Sequence, residues 1–86
     1  MSTKKKLLQK IMSGRQDGNV TFEEALQLLK ILGYVFRQNS GSHIIAGLPD
    51  VRGMLTMQPR KDGKAKGYQL DQMRAHIRIN KLDRLE

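Results

Sequence analysis

The stretch from Thr21 to Leu48 most restricts what this chain can become. It marks both ends of a helix and then passes at once into a β-hairpin. Thr21 is placed as an N-cap, and Glu24, three residues on, completes a capping box. Val20, just before the cap, is placed to staple onto Ala25 or Leu26. Phe22, Ala25, Leu26, Leu29 and Leu32 recur on one helical face. Gly33 suits a left-handed stop. Tyr34 to Gln38 is then rich in β formers, Asn39 to Ser42 is a turn cluster, and His43 to Leu48 is a second strand pairing back on the first. Pro49, Asp50 and Gly53 mark another turn, and Met54 to Gln58 is a third strand.

The flanks add helices. Leu7, Leu8, Ile11 and Met12 draw one stripe between Lys4 and about Ser13, which Gly14 and Asp17-Gly18-Asn19 end. Arg60 to Gly67 is polar and punctuated by glycine, hence a loop. From Tyr68 to about Asn80, Leu70, Met73 and Ile77 return to helical spacing, with His76 at the edge of their stripe as a boundary residue against the sheet. Met54, Met57 and Met73 are expected to fill the core. The order is helix, helix, three antiparallel strands, helix. That is an α+β fold, a small three-stranded antiparallel sheet packed by helices. Residues 1–20 form an accessory helix and turn, and residues 21–86 form the main domain. One face of such a sheet buries Phe and Ile side chains, and the other stays wet and suits binding.

With 86 residues, the chain forms one small domain with a modest core, so any site is built on its surface. Sixteen Lys and Arg against eight Asp and Glu give a net charge of +8. Such a field attracts nucleic acid, anionic membranes and acidic proteins alike. The absence of cysteine excludes a disulfide scaffold, a thiolate zinc site and a cysteine nucleophile. The basic start has only Leu7-Leu8 behind it, too short for a signal peptide, and no run reaches membrane-spanning length. A soluble cytoplasmic protein without a membrane partner is expected.

The catalytic inventory is short. No carboxylate pair has useful spacing, no phosphate-cradling glycine loop is present, and His43 and His76 alone do not make a metal site. No metal or other cofactor is expected. RNA cleavage asks for less, because the ribose supplies its own 2′-hydroxyl nucleophile. An imidazole, with an ordinary pKa of ~6.5, serves as base or acid, and Lys and Arg stabilise charge on phosphorus. Gly41-Ser42-His43 at the hairpin mouth, with Arg37 upstream, supplies such an imidazole. Taken alone, a histidine at a strand start is more often a polar turn residue than a catalyst, and an arginine on a strand such as Arg37 more often a solvated charge than a phosphate ligand. Lys64 and Lys66 stand just before the last helix, where N–H groups carry partial positive charge; they either hold a phosphate or keep a loop solvated.

From Phe22 to Leu82 the order of motifs resembles the HicA family of small bacterial toxins. The resemblance rests on Leu32-Gly33-Tyr34, Arg37, Gly41-Ser42-His43, Pro49, Leu55-Thr56-Met57-Gln58-Pro59, and Gly63-Lys64 before Tyr68-Gln69-Leu70. It implies a fold like that of double-stranded RNA-binding domains, α-β-β-β-α, here with an extra N-terminal helix. It implies an mRNA interferase with His43 as general acid or base, and its likeness to double-stranded RNA-binding domains points to Lys64 and Lys66 as RNA-binding residues; Arg37, on phosphate, and Ser42, orienting backbone or substrate, complete the candidate RNA-binding set. A HicB-type antitoxin would be the protein partner, and mRNA the substrate. The chain departs from the family pattern in having Ile44-Ile45-Ala46 after His43, where an aromatic is common, and Arg60 after Pro59, where a second histidine is common. A non-catalytic RNA- or DNA-binding module of the same fold is the alternative.

Overall fold

Thr21 and Glu24 close the capping box that their spacing announces. Thr21 Oγ1 accepts from the Glu24 N–H at 3.0 Å, and Glu24 Oε1 accepts from the Thr21 N–H at 3.0 Å. A cap of this kind contributes about 1 kcal/mol. In the computed structural model, which describes residues 3–38, 41 and 43–83, it starts helix α2, Phe22–Ile31. Helix α1 spans Thr3–Met12 and precedes a short 3₁₀ turn at Asp17–Asn19. Strands β1 Val35–Gln38, β2 Ile44–Gly47 and β3 Met54–Met57 follow, then helix α3 Gly67–Ile79. The sheet is antiparallel in the order β1-β2-β3, so the fold is α+β as expected. Among the described residues no helix is long and apolar enough to cross a membrane.

Helices α2 and α3 end alike. At the end of α2, the Gly33 N–H reaches Lys30 O at 3.1 Å and the Tyr34 N–H reaches Leu29 O at 3.0 Å. This is a Schellman motif, and it needs the left-handed Gly33, whose φ is 100°. At the end of α3, the Lys81 N–H reaches Arg78 O at 3.0 Å and the Leu82 N–H reaches Ile77 O at 2.9 Å. The left-handed position there is Lys81, at φ 56°, a side-chain-bearing residue where glycine costs less.

The core lies between the sheet and the helices. Ala46, Leu55 and Met57 of the sheet pack with Ala25, Leu28 and Leu29 of α2 and Leu70, Met73 and Ile77 of α3. Leu28 joins the buried set while Phe22, Leu26 and Leu32 sit at its margin. The stripe is wider than one face because α2 is packed from a second side by α1. Leu7, Leu8 and Ile11 of α1 belong to this same cluster. Met54 corrects the expectation of a core residue. Alternation turns Leu55 and Met57 inward and Met54 outward, opposite Gly47, where it is 69% exposed.

Two polar contacts hold α1 down. Arg74, buried on α3, donates from Nη1 to Asp17 Oδ1 at 2.9 Å and to Ile11 O at 3.0 Å, and from Nη2 to Asp17 Oδ2 at 3.0 Å. The Asp17 carboxylate, aided by Asp71, pushes the guanidinium pKa up against the opposing effect of burial. Lys10 Nζ meets Glu24 at 3.0 Å. Burial alone would raise the Glu24 pKa, but the Thr21 N–H and Lys10 outweigh it and hold the carboxyl below its usual range. The polar loop after β3 is braced too: the Ala65 N–H donates to Val20 O at 2.9 Å and the Phe22 N–H to Gly63 O at 3.0 Å.

Candidate functional site

His43 stands one residue before β2. Ile44 and Ala46 point to the core, so alternation gives His43 and Ile45 the opposite, outer face. His43 is half-buried and lines an open cleft of about 480 Å³. Thr56 and Gln58 form one wall, and Tyr68, Gln69 and Gln72 from the start of α3 form the other. The walls are pinned together: the Gln58 N–H donates to Gln69 Oε1 at 3.1 Å, and Gln69 is only 2% exposed. A backbone N–H that would otherwise be left on the sheet edge is thereby satisfied.

Lys66 is the N-cap residue of α3, where the helix presents its positive end. Its Nζ donates to Gln58 Oε1 at 3.2 Å and lies 5.9 Å from the centre of the Tyr68 ring. Lys66, Pro59, Arg60, Lys61 and Asp62 line a second groove, which shares Gln58 with the His43 cleft. Arg60 is partly offset by Asp62 at 3.3 Å, an exposed pair that contributes little. The structure thus joins Lys66 to the His43 cleft through one glutamine.

Arg37 is placed differently. It pairs with Ile45 across the sheet and lines a shallow hollow that shares Met54 with the His43 cleft. Strand alternation puts it on the same outer face as His43, but the two line different hollows. Lys64 lines neither the cleft nor the groove. Its backbone is used instead, with its N–H on Asp62 Oδ1 at 3.1 Å and its carbonyl taking the Arg60 N–H at 2.8 Å. Ser42 lies outside the described residues. Tyr68, Gln58, Gln69 and Gln72 were not singled out from sequence as site residues. Their signal is the meeting of β3 and α3, which no local pattern reveals.

His76 is held in another part of the fold. Its Nδ1 lies 2.5 Å from the Tyr34 hydroxyl and 3.4 Å from Asn80 Nδ2, which also donates to His76 O at 2.9 Å. Its Nε2 is buried without a hydrogen-bond partner among the described residues. Tyr34 is itself buried, which pushes the phenol pKa up to about 12. His76 therefore has the boundary position expected of it, now with a tyrosine as its partner.

Among the described residues, no three His, Asp or Glu side chains stand where they could share a metal ion. The cleft offers an imidazole, a phenol, amides and a hydroxyl, with cations in the groove beside it. No protein-family model, curated protein or solved structure matches the chain.

Proposed function

We propose that this protein is a metal-independent endoribonuclease acting on mRNA in the cytoplasm, the toxin of a toxin–antitoxin pair. The observation that carries this reading is His43 on an open cleft that shares Gln58 with the groove of Arg60, Lys61 and Lys66. An RNA strand laid over the outer face puts a phosphodiester near the imidazole and its neighbours over the cations. His43 takes the proton of the 2′-hydroxyl as the O2′–P bond forms. The P–O5′ bond breaks, and the 5′ oxygen takes up a proton from the imidazolium or from water. The products are a 2′,3′-cyclic phosphate and a 5′-hydroxyl. Lys66 and Arg37 stabilise the added negative charge. Lys64 and Ser42 complete the RNA-binding set expected from the sequence. A HicB-type antitoxin would cover this face, where Val35, Val51 and Met54 are exposed.

The test is incubation of the purified protein with mRNA in the presence of a chelator. Fragments ending in 2′,3′-cyclic phosphate, lost in His43→Ala, support the proposal. Binding without any cleavage identifies a non-catalytic nucleic-acid module instead.

A further inference from the structure

The cleft beside His43 and the groove next to it differ in chemistry. No Lys, Arg, Asp or Glu lines the cleft, whereas Arg60, Lys61 and Lys66 line the groove. A nucleotide divides in the same way, into a flat, neutral, hydrogen-bonding base and an anionic phosphate. The cleft volume of about 480 Å³ falls within the range of small-ligand sites, roughly 300–1,000 Å³.

Tyr68 is the aromatic that meets this cleft. It is 57% exposed, whereas Tyr34 is 4% exposed and Phe22 and Phe36 pack against the core. The amides around it have fixed orientations. Lys66 is only a donor, so Gln58 must turn its oxygen to Lys66, which leaves its NH₂ for another acceptor. The Gln58 backbone N–H is also only a donor, so Gln69 turns its oxygen there and its NH₂ towards the Tyr68 hydroxyl, at 3.5 Å. Gln72 adds a further exposed amide one helical turn beyond Tyr68.

We propose that Tyr68 is a stacking platform for one unpaired nucleobase, whose edge is hydrogen-bonded by Gln58 and Gln72 in the same cleft as His43. A base inside a duplex has both faces covered and its edge paired, so this subsite selects single-stranded RNA. The inference deepens the nuclease reading and takes the role of His43 from it, but the base subsite can be tested without cleavage.

The probe is a fluorescent single-stranded 2′-deoxyoligonucleotide, which lacks the nucleophile and stays intact. It is compared with an abasic strand of the same length and charge and with a duplex, at fixed salt. The parent is expected to bind the base-bearing strand more tightly than the abasic one. Tyr68→Ala is expected to weaken the base-bearing strand about tenfold, the scale of one lost base–aromatic stack. The abasic strand and the duplex should change less than about twofold, and Tyr68→Phe should keep most of the affinity. Equal losses on all three probes, no loss on any, or no binding by the parent overturns the proposal. Circular dichroism of each variant shows that the fold is kept. If instead His43→Ala still cleaves mRNA, the nuclease role of His43 fails while the stacking result stands.

Discussion

The chain's two histidines occupy opposite kinds of surroundings. His43 stands at the start of an exposed strand face and lines an open cleft beside cations. His76 is pressed against Tyr34, with its Nδ1 2.5 Å from the phenol oxygen and its Nε2 enclosed. The same imidazole is therefore placed in two ways. His43 lines a cleft and carries the proposed proton exchange; His76, enclosed by protein, ties a helix to the residue that leads into the sheet. Residue type does not separate these two placements, whereas the cleft on one side and the enclosed ring on the other do.

The comparison is broken most readily at His43. His43→Gln is expected to lower mRNA cleavage about 100-fold or more, the lower end of what general acid–base catalysis supplies. Circular dichroism should show that this variant keeps the fold. His76→Ala should do the reverse. It leaves the buried Tyr34 hydroxyl without its partner and opens a gap, at a cost of about 2–3 kcal/mol. Cleavage per folded molecule should be unchanged, so normal stability with lost cleavage in this variant would reverse the two assignments.

The tyrosine beside His76 gives a pH signature. Its folded pKa is raised from 10.0 to about 12, so the unfolded chain loses that proton first. Stability from this group is fully present below pH 10 and is lost as pH rises towards 12. The loss is on the order of 2 kcal/mol. Tyr34→Phe should lack that part of the alkaline decline in thermal melts recorded from pH 9 to 12. The smallest effect is at the end of the helix that carries His76. Lys81→Gly relieves a left-handed residue and should stabilise the fold by about 0.5–1 kcal/mol without touching cleavage.

Local chemistry was readable from the sequence. The Thr21–Glu24 box, the Gly33 stop and the strands each depend on residues a few positions apart, and each stands where its pattern puts it. His43 on the outer face follows from the same strand alternation. The unread parts join distant segments. Tyr34 and His76 are 42 residues apart, and Arg74 and Asp17 are 57 apart. Met54 was misjudged because a methionine says nothing of which way its strand faces. Lys64 and Lys66 look alike in sequence, yet only Lys66 reaches Gln58 and the Tyr68 ring. The amides and phenol of the cleft escaped notice because uncharged side chains carry no sequence signature until β3 and α3 are brought together.

Imidazole NMR signals of the histidine-labelled protein, followed during titration with a single-stranded 2′-deoxyoligonucleotide, test the division between the histidines most directly. The His43 ring signals should shift and saturate with binding while those of His76 hold still. Movement of His76 with a silent His43 would contradict the account.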